Sequence, residues 1–248
     1  MDLSRHSEIF LPDKVLHPIH IIGVGATGSF VAMELARLGC PVLNIYDFDN
    51  VELHNIPNQY YDTGDLNLQK VDALEIKLKE INPNIVINKY NCAVLPHKEE
   101  GKDNISIDEM AGYVFLLVDS MTVRKDLWDA IKGNKNIIHV WESRLGSDQA
   151  RVYSLDMDRE DYSQYEQDFY ADDVAETSAC GTSITVLPIV LQTASLMIVQ
   201  FIELVMGKRE QYYYKIIFDN HYNKFEEEFK SKTSEEEKVA EPVTEDLF

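Results

Sequence analysis

The first apolar run of the chain, Ile19-His20-Ile21-Ile22, stops at a glycine, and across Gly23-Val24-Gly25-Ala26-Thr27-Gly28 the pattern changes from strand-like to helical. The same alternation recurs. Val42 to Tyr46 reads as a second strand, Lys70 opens a helix that ends before the turn Asn82-Pro83, and residues 114–118 (VFLLV) read as a third strand leading into a helix near Met121. Apolar strands alternating with amphipathic helices predict an α/β protein with a mainly parallel sheet flanked by helices. At 248 residues the chain can bury one substantial core, and the pattern places that domain over residues 1–224.

Three segments depart from the alternation. Residues 156–176 hold nine acids and one arginine with no sustained apolar period, which predicts an acidic crossover loop over about 156–179. Such a loop either covers a site or docks a partner, or is a solvated connection. Residues 226–248 hold nine acids and three lysines, so a flexible acidic tail is expected over 225–248. Residues 180–202 carry no charge over 23 positions, long enough for a membrane span. Thr182, Ser183, Thr185, Pro188, Gln192, Thr193 and Ser195 break that run, so a mostly buried helix beginning before Pro188 is expected and no membrane association.

The loop 23–28 is where chemistry enters. In a strand-loop-helix unit the first glycine permits a tight turn, the second lets backbone approach a phosphate, and the third lets the helix pack close to the strand. These are Gly23, Gly25 and Gly28. The helix N-terminus then faces the anion. Asp47 and Asp49 follow the second strand, about 20 residues downstream, where a carboxylate reaches ribose hydroxyls. A Rossmann-like nucleotide site is the reading, and a nicotinamide or flavin oxidoreductase is the usual default for it.

Composition narrows the partners. The formal charge of −20, from 43 acids against 23 Lys and Arg, argues against nucleic acid. Three cysteines, Cys40, Cys92 and Cys180, form no C-x-x-C pair, so neither a disulfide framework nor a zinc ribbon is indicated. No secretory n-region and h-region opens the chain, and a cytoplasmic protein is expected.

The residues after the acids decide against the default. From Asp47 the chain runs DFDNVELHNIPNQYYDTGDLNLQKVDALEIKLKEINPNI. The order of glycine loop, Asp47-x-Asp49, Asn55, Lys70 opening a helix, Asn82-Pro83, and a strand ending in Asp119-Ser120 with Arg124 resembles the ThiF/MoeB/HesA superfamily of ubiquitin-activating-like adenylyltransferases. The resemblance runs over roughly residues 7–220. Two positions differ. The family arginine beside the asparagine motif falls on Asn58, and a second, near the N-terminus, falls on Ser7, with Arg5 close by. Asparagine donates a hydrogen bond to phosphate but supplies no cation.

The resemblance implies a ThiF-type activating-enzyme fold, ATP and Mg²⁺, and activation of a carboxylate as an acyl-adenylate. The carboxylate would be the C-terminus of a small ubiquitin-like or sulfur-carrier-like protein or peptide. It also implies a homodimer through the apolar helix. The loop 23–28 would cradle phosphates, Lys70 would offset triphosphate charge, Asp49 or less readily Asp47 would take the ribose, and Asn55 and Asn58 would bond phosphate. Asp119 would hold Mg²⁺, Arg124 would support the Asp119 turn or the phosphates, and Cys180 would accept the activated acyl group. Each has a structural alternative: Asp119 a helix cap, Lys70 a solvated cation, Asp47 a polar strand end, Arg124 an ion pair, Cys180 a buried thiol. For the whole chain the alternatives are a non-catalytic nucleotide-binding scaffold and, behind it, an NAD(P)-dependent oxidoreductase.

Overall fold

Strand β1 (Ile19–Ile22) is buried at all four positions, as a strand covered on both faces must be. The structure, a computed structural model, describes residues 1–99, 105–147, 149–159, 161–171, 185–208, 211–219 and 224–231. In parallel register β1 pairs on one side with β2 (Val42–Tyr46) and on the other with β6 (Gly112–Leu116). Beyond β2 lies β3 (Val86–Tyr90), and beyond β6 lies β7 (Ile137–Leu145), both also parallel. β8 (Gln149–Asp156), β9 (Gln211–Asp219) and β10 (Lys224–Ser231) extend the sheet antiparallel, giving eight strands in the order β10-β9-β8-β7-β6-β1-β2-β3. A separate two-stranded piece joins β4 (Val94–Leu95) to β5 (Ile105–Ser106).

Side-chain alternation along the strands sends the core two ways. Ile19, Ile21, Tyr113 and Phe115 point into one layer, with α1 (Ala26–Leu38), α2 (Lys70–Ile81) and α5 (Leu187–Val205). Ile22, Val114 and Leu116 point into the other, with Leu127, Trp128 and Ile131 of α3 (Met121–Gly133) and Tyr165 of α4 (Ser163–Glu166). The result is the expected Rossmann-like sandwich of helices around a mainly parallel sheet. Strand order reverses between β1 and β6, with α1 and α3 leaving on opposite faces. The crevice at the carboxyl ends of those two strands is where such sheets bind ligands.

Helix α5 has the length and mean hydropathy, 1.7, of a membrane span. Its buried residues Ile189, Val190, Ala194, Met197, Ile198 and Phe201 pack in the core instead, and Thr193 satisfies its hydroxyl by donating to the Ile189 carbonyl at 2.7 Å. Pro188 falls in the first turn, where its missing N–H costs nothing.

Two expectations change. Residues 225–231, expected to belong to the tail, form a strand instead: Lys224–Ser231 pairs with β9, placing Phe225 opposite Phe218 and Phe229 opposite Tyr214. Residues 232–248 lie outside the described residues. The acidic loop is structured in part: α4 sits within it, Tyr165 is fully buried, and Glu166 accepts from Trp128 Nε1 at 2.9 Å and Lys132 Nζ at 2.6 Å.

β1 also contains a buried titrating group. His20 Nδ1 lies 2.8 Å from the Tyr46 hydroxyl, and burial lowers its pKa to about 4. The unfolded chain therefore takes up a proton at His20 between pH 6.5 and about 4 that the folded one refuses, so this contribution to stability falls as pH drops through that window. Denaturant titration is expected to show roughly 2 kcal/mol less stability at pH 5 than at pH 7 from this group. A His20→Gln variant should lack that share of the loss; an equal loss in the variant would assign it to other groups.

Candidate nucleotide site

Gly23 has φ +89°, and a Cβ there would come 2.7 Å from the Leu117 carbonyl oxygen, which ties the loop after β1 to the end of β6. A Cβ on Gly28 would lie 1.9 Å from the Gly23 carbonyl oxygen, so the first turn of α1 can only close against the loop without a side chain. Gly25 is different. A Cβ there would find only Gln59 Nε2, at 3.8 Å, so the protein's own packing does not require glycine. Gly25 is also the N-cap of α1, which has no side-chain cap and no acid in its first turn. Its leading N–H groups and its dipole face an open position, suited to an anion.

Asp47 buckles this loop to β2. Its carboxylate accepts from the backbone N–H of Val24 and of Asp49, each at 2.9 Å. Burial raises its pKa against the pull of Lys70 and of those two N–H groups. Asp49 stays half exposed beside Lys70, whose Nζ lies 2.7 Å from Asp49 Oδ2 and 3.9 Å from Asp47 Oδ1. Lys70 is buried and is the first residue of α2, where a cation opposes the helix dipole. A solvated surface lysine is thereby ruled out. Tyr61, which the sequence did not single out, braces both parts by donating to the carbonyls of Val24 at 2.8 Å and Lys70 at 3.3 Å.

Among the described residues, the other expected ones have partners within the protein or stand apart from the loop. Asn55 spends its side-chain oxygen on the Glu52 N–H at 2.8 Å, in a capping box around the short turn Leu53–Asn55. Asn58, expected to bond phosphate, donates one N–H to the Thr185 carbonyl at 2.9 Å and ties this turn to the chain entering α5. Arg5 is exposed and Ser7 bonds the Ser4 carbonyl. Ser120, not Asp119, caps α3 by accepting from the Val123 N–H, so Asp119 stands exposed at the carboxyl end of β6. Cys180 lies outside the described residues.

Arg124 is committed to the turn that bears Asp119, one of the roles expected of it. It is buried, donates to the carbonyls of Val118 and, at 2.6 Å, Ser143, and pairs with Glu142. Burial lowers its pKa to about 10. It holds the turn before Asp119. Glu142 is fully buried and also accepts from Arg144 Nε at 3.3 and 3.2 Å. Arg144 lies within 4.7 to 5.3 Å of the rings of Tyr153, Phe169 and Tyr165, and donates to the Asp168 carbonyl. An acid and two arginines inside an otherwise apolar layer were the unused signal: Glu142-Ser143-Arg144 breaks the run IIHVW. A cleft of about 650 Å³ opens beside this network, between Met121, Thr122 and Lys125 of α3 and Phe169 and Tyr170.

No group of three or more His, Cys, Asp or Glu that could hold a metal occurs among the described residues. Asp119 alone fits a divalent ion only where phosphate oxygens and water complete the shell, which is how Mg²⁺ is commonly held.

Fold and loop together define a Rossmann-like α/β protein with a glycine cradle at the switch point of its sheet. The ThiF family profile matches residues 17–240, and the chain belongs to the ThiF family. It is similar to ubiquitin-like modifier-activating enzyme 5 of Bombyx mori, 38% identical over 96 residues, and of Rattus norvegicus, 34% identical over 109 residues. Those stretches are 38% and 43% of this chain but only 24% and 27% of the two relatives. Among solved structures, PaaA superposes with a TM-score of 0.67 at 21% identity, covering 88% of this chain and 66% of PaaA. E. coli MccB solved with ATP superposes at 0.62 with 14% identity, covering 90% of this chain and 67% of MccB. These likenesses establish the fold.

Proposed function

We propose that the protein is an ATP-dependent adenylyltransferase that activates a carboxylate, the C-terminus of a small ubiquitin-like or sulfur-carrier-like protein or peptide. The observation that carries this reading is Gly25, an unfilled position at an uncapped helix N-terminus with Lys70 and the carboxylates of Asp47 and Asp49 around it. The names of the activating-enzyme relatives support the same class.

In the proposed step a carboxylate oxygen bonds to the α-phosphorus of ATP while the bond to the bridging oxygen breaks. Pyrophosphate departs and an acyl-adenylate remains. Backbone N–H groups of loop 23–28 hold phosphate oxygens, Lys70 offsets their charge, and Asp49 takes the ribose hydroxyls. Lys70 must exchange part of its bond to Asp49 for phosphate when ATP binds. Asp119 would hold Mg²⁺, which would supply further neutralisation of phosphate charge. The partner's tail would enter along the cleft between α3 and Phe169. A homodimer through the outer face of α5, where Leu191 and Val199 are exposed, completes the proposal, with a cytoplasmic setting.

The scaffold reading is favoured by one observation. Asn58 is neutral and Arg124 is paired with Glu142, so neither brings a free cation to the triphosphate. Thermal denaturation with saturating ligand separates the nucleotides. Mg·ATP at about a hundred times its dissociation constant is expected to raise the melting temperature by on the order of 5 to 10 °C, and NAD or NADP to leave it unchanged. A shift with a nicotinamide cofactor and none with ATP would reverse the assignment.

A further inference from the structure

We propose that Glu142 is a positioning residue that couples the two walls of the site. Through Arg124 it fixes the 118–120 turn that bears Asp119, and through Arg144 it latches residues 165–169, which border the cleft. The inference rests on the adenylation reading only for what the two walls enclose.

The geometry leaves little freedom. Glu142 has no exposed surface and lies on β7, opposite Leu116 of β6 on one side and Tyr153 of β8 on the other. Its single charge stands between two buried guanidinium groups, so each arginine is held where the other half of that charge is. Arg124 carries the effect to the Val118 carbonyl, next to Asp119. Arg144 carries it to the Asp168 carbonyl, and Asp168 in turn is held by the Tyr153 hydroxyl at 2.7 Å and Lys215 Nζ at 2.9 Å. Burial works to raise the Asp168 pKa, but Lys215 and Tyr153 prevail and hold it below the usual value, so this anchor stays charged at neutral pH. Phe169 both touches Arg144 and lines the cleft, so the latch sets one wall directly. A core built only for stability would do better with apolar groups here, because a buried charge cluster is a weak source of folding energy and a strong source of fixed geometry. Deleting one member leaves its partner charge uncompensated, so the effects of substitution should follow the connections.

Hydrogen exchange on the full-length chain tests this, with the amides of β1 as an internal reference. Glu142→Gln is expected to speed exchange in both 118–121 and 165–169 by about tenfold or more while β1 is unchanged. Arg144→Met should loosen 165–169 alone, and Arg124→Lys should loosen 118–121 alone. A second readout is the Mg²⁺ concentration at which ATP reaches half its thermal stabilisation. Glu142→Gln and Arg124→Lys should raise that midpoint by about tenfold, the low end of what losing the support of a metal-bound side chain costs, and Arg144→Met should leave it alone. A purely structural Glu142 would not move this midpoint.

Equal acceleration at β1 and both walls, or loosening of neither wall, would overturn the coupling. If Glu142→Gln does not fold, the two arginine variants still decide, since each must loosen its own wall and spare the other. Should wild-type protein gain no stability from Mg·ATP, the adenylation reading fails while the exchange pattern continues to judge the coupling by itself.

Discussion

Gly25→Ala is expected to lose most of its affinity for ATP while costing less stability than Gly28→Ala. The added methyl finds only Gln59 Nε2 at 3.8 Å, so it meets no packed neighbour. A bound phosphate approaching the backbone at that point would meet it directly. Overpacking of that kind costs roughly 1 to 3 kcal/mol, or about five- to more than a hundredfold in dissociation constant. Gly28→Ala makes the contrast. Its methyl would sit 1.9 Å from the Gly23 carbonyl oxygen, so α1 must move away from the loop and stability itself should fall. Isothermal titration with ATP beside thermal denaturation separates the two. Unchanged ATP affinity in Gly25→Ala would mean that the loop does not cradle phosphate.

Asp119→Ala is expected to lower pyrophosphate exchange by on the order of 10² to 10³-fold, the scale for removing one preorganised electrostatic group. Stability should change by no more than about 0.5 kcal/mol, because the side chain is exposed and Ser120 provides the helix cap. Intact exchange in that variant would reduce Asp119 to a turn residue. A matching loss of stability would assign it a structural role that its exposure does not suggest.

The parts of this molecule that the sequence revealed are those fixed by nearby residues. The strand at Ile19–Ile22, the loop 23–28 and the helix opening at Lys70 each depend on spacing over a few positions, and all three stand where the pattern puts them. What escaped depends on distant partners. The amide of Asn58 finds the carbonyl of Thr185, 127 residues away, and no local pattern announces that meeting. Arg124 was legible as a charged residue behind a strand end, but its direction is set by Glu142, which another strand delivers. β10 was hidden by its own composition. Three successive acids, Glu226, Glu227 and Glu228, look like the start of a solvated tail, and backbone pairing with β9 overrides them. Tyr165 was hidden likewise among the acids of residues 156–176, though it is one of the largest fully buried side chains.

Adenylation by the full-length protein is tested most directly by exchange of labelled pyrophosphate into ATP, with Mg²⁺ and a panel of small ubiquitin-like and sulfur-carrier-like proteins bearing free C-termini. The proposed chemistry predicts exchange that requires one such carboxylate, disappears when that terminus is amidated, and is lost in Asp119→Ala. Binding of Mg·ATP with no exchange for any member of the panel would contradict it and leave the protein a nucleotide-binding scaffold.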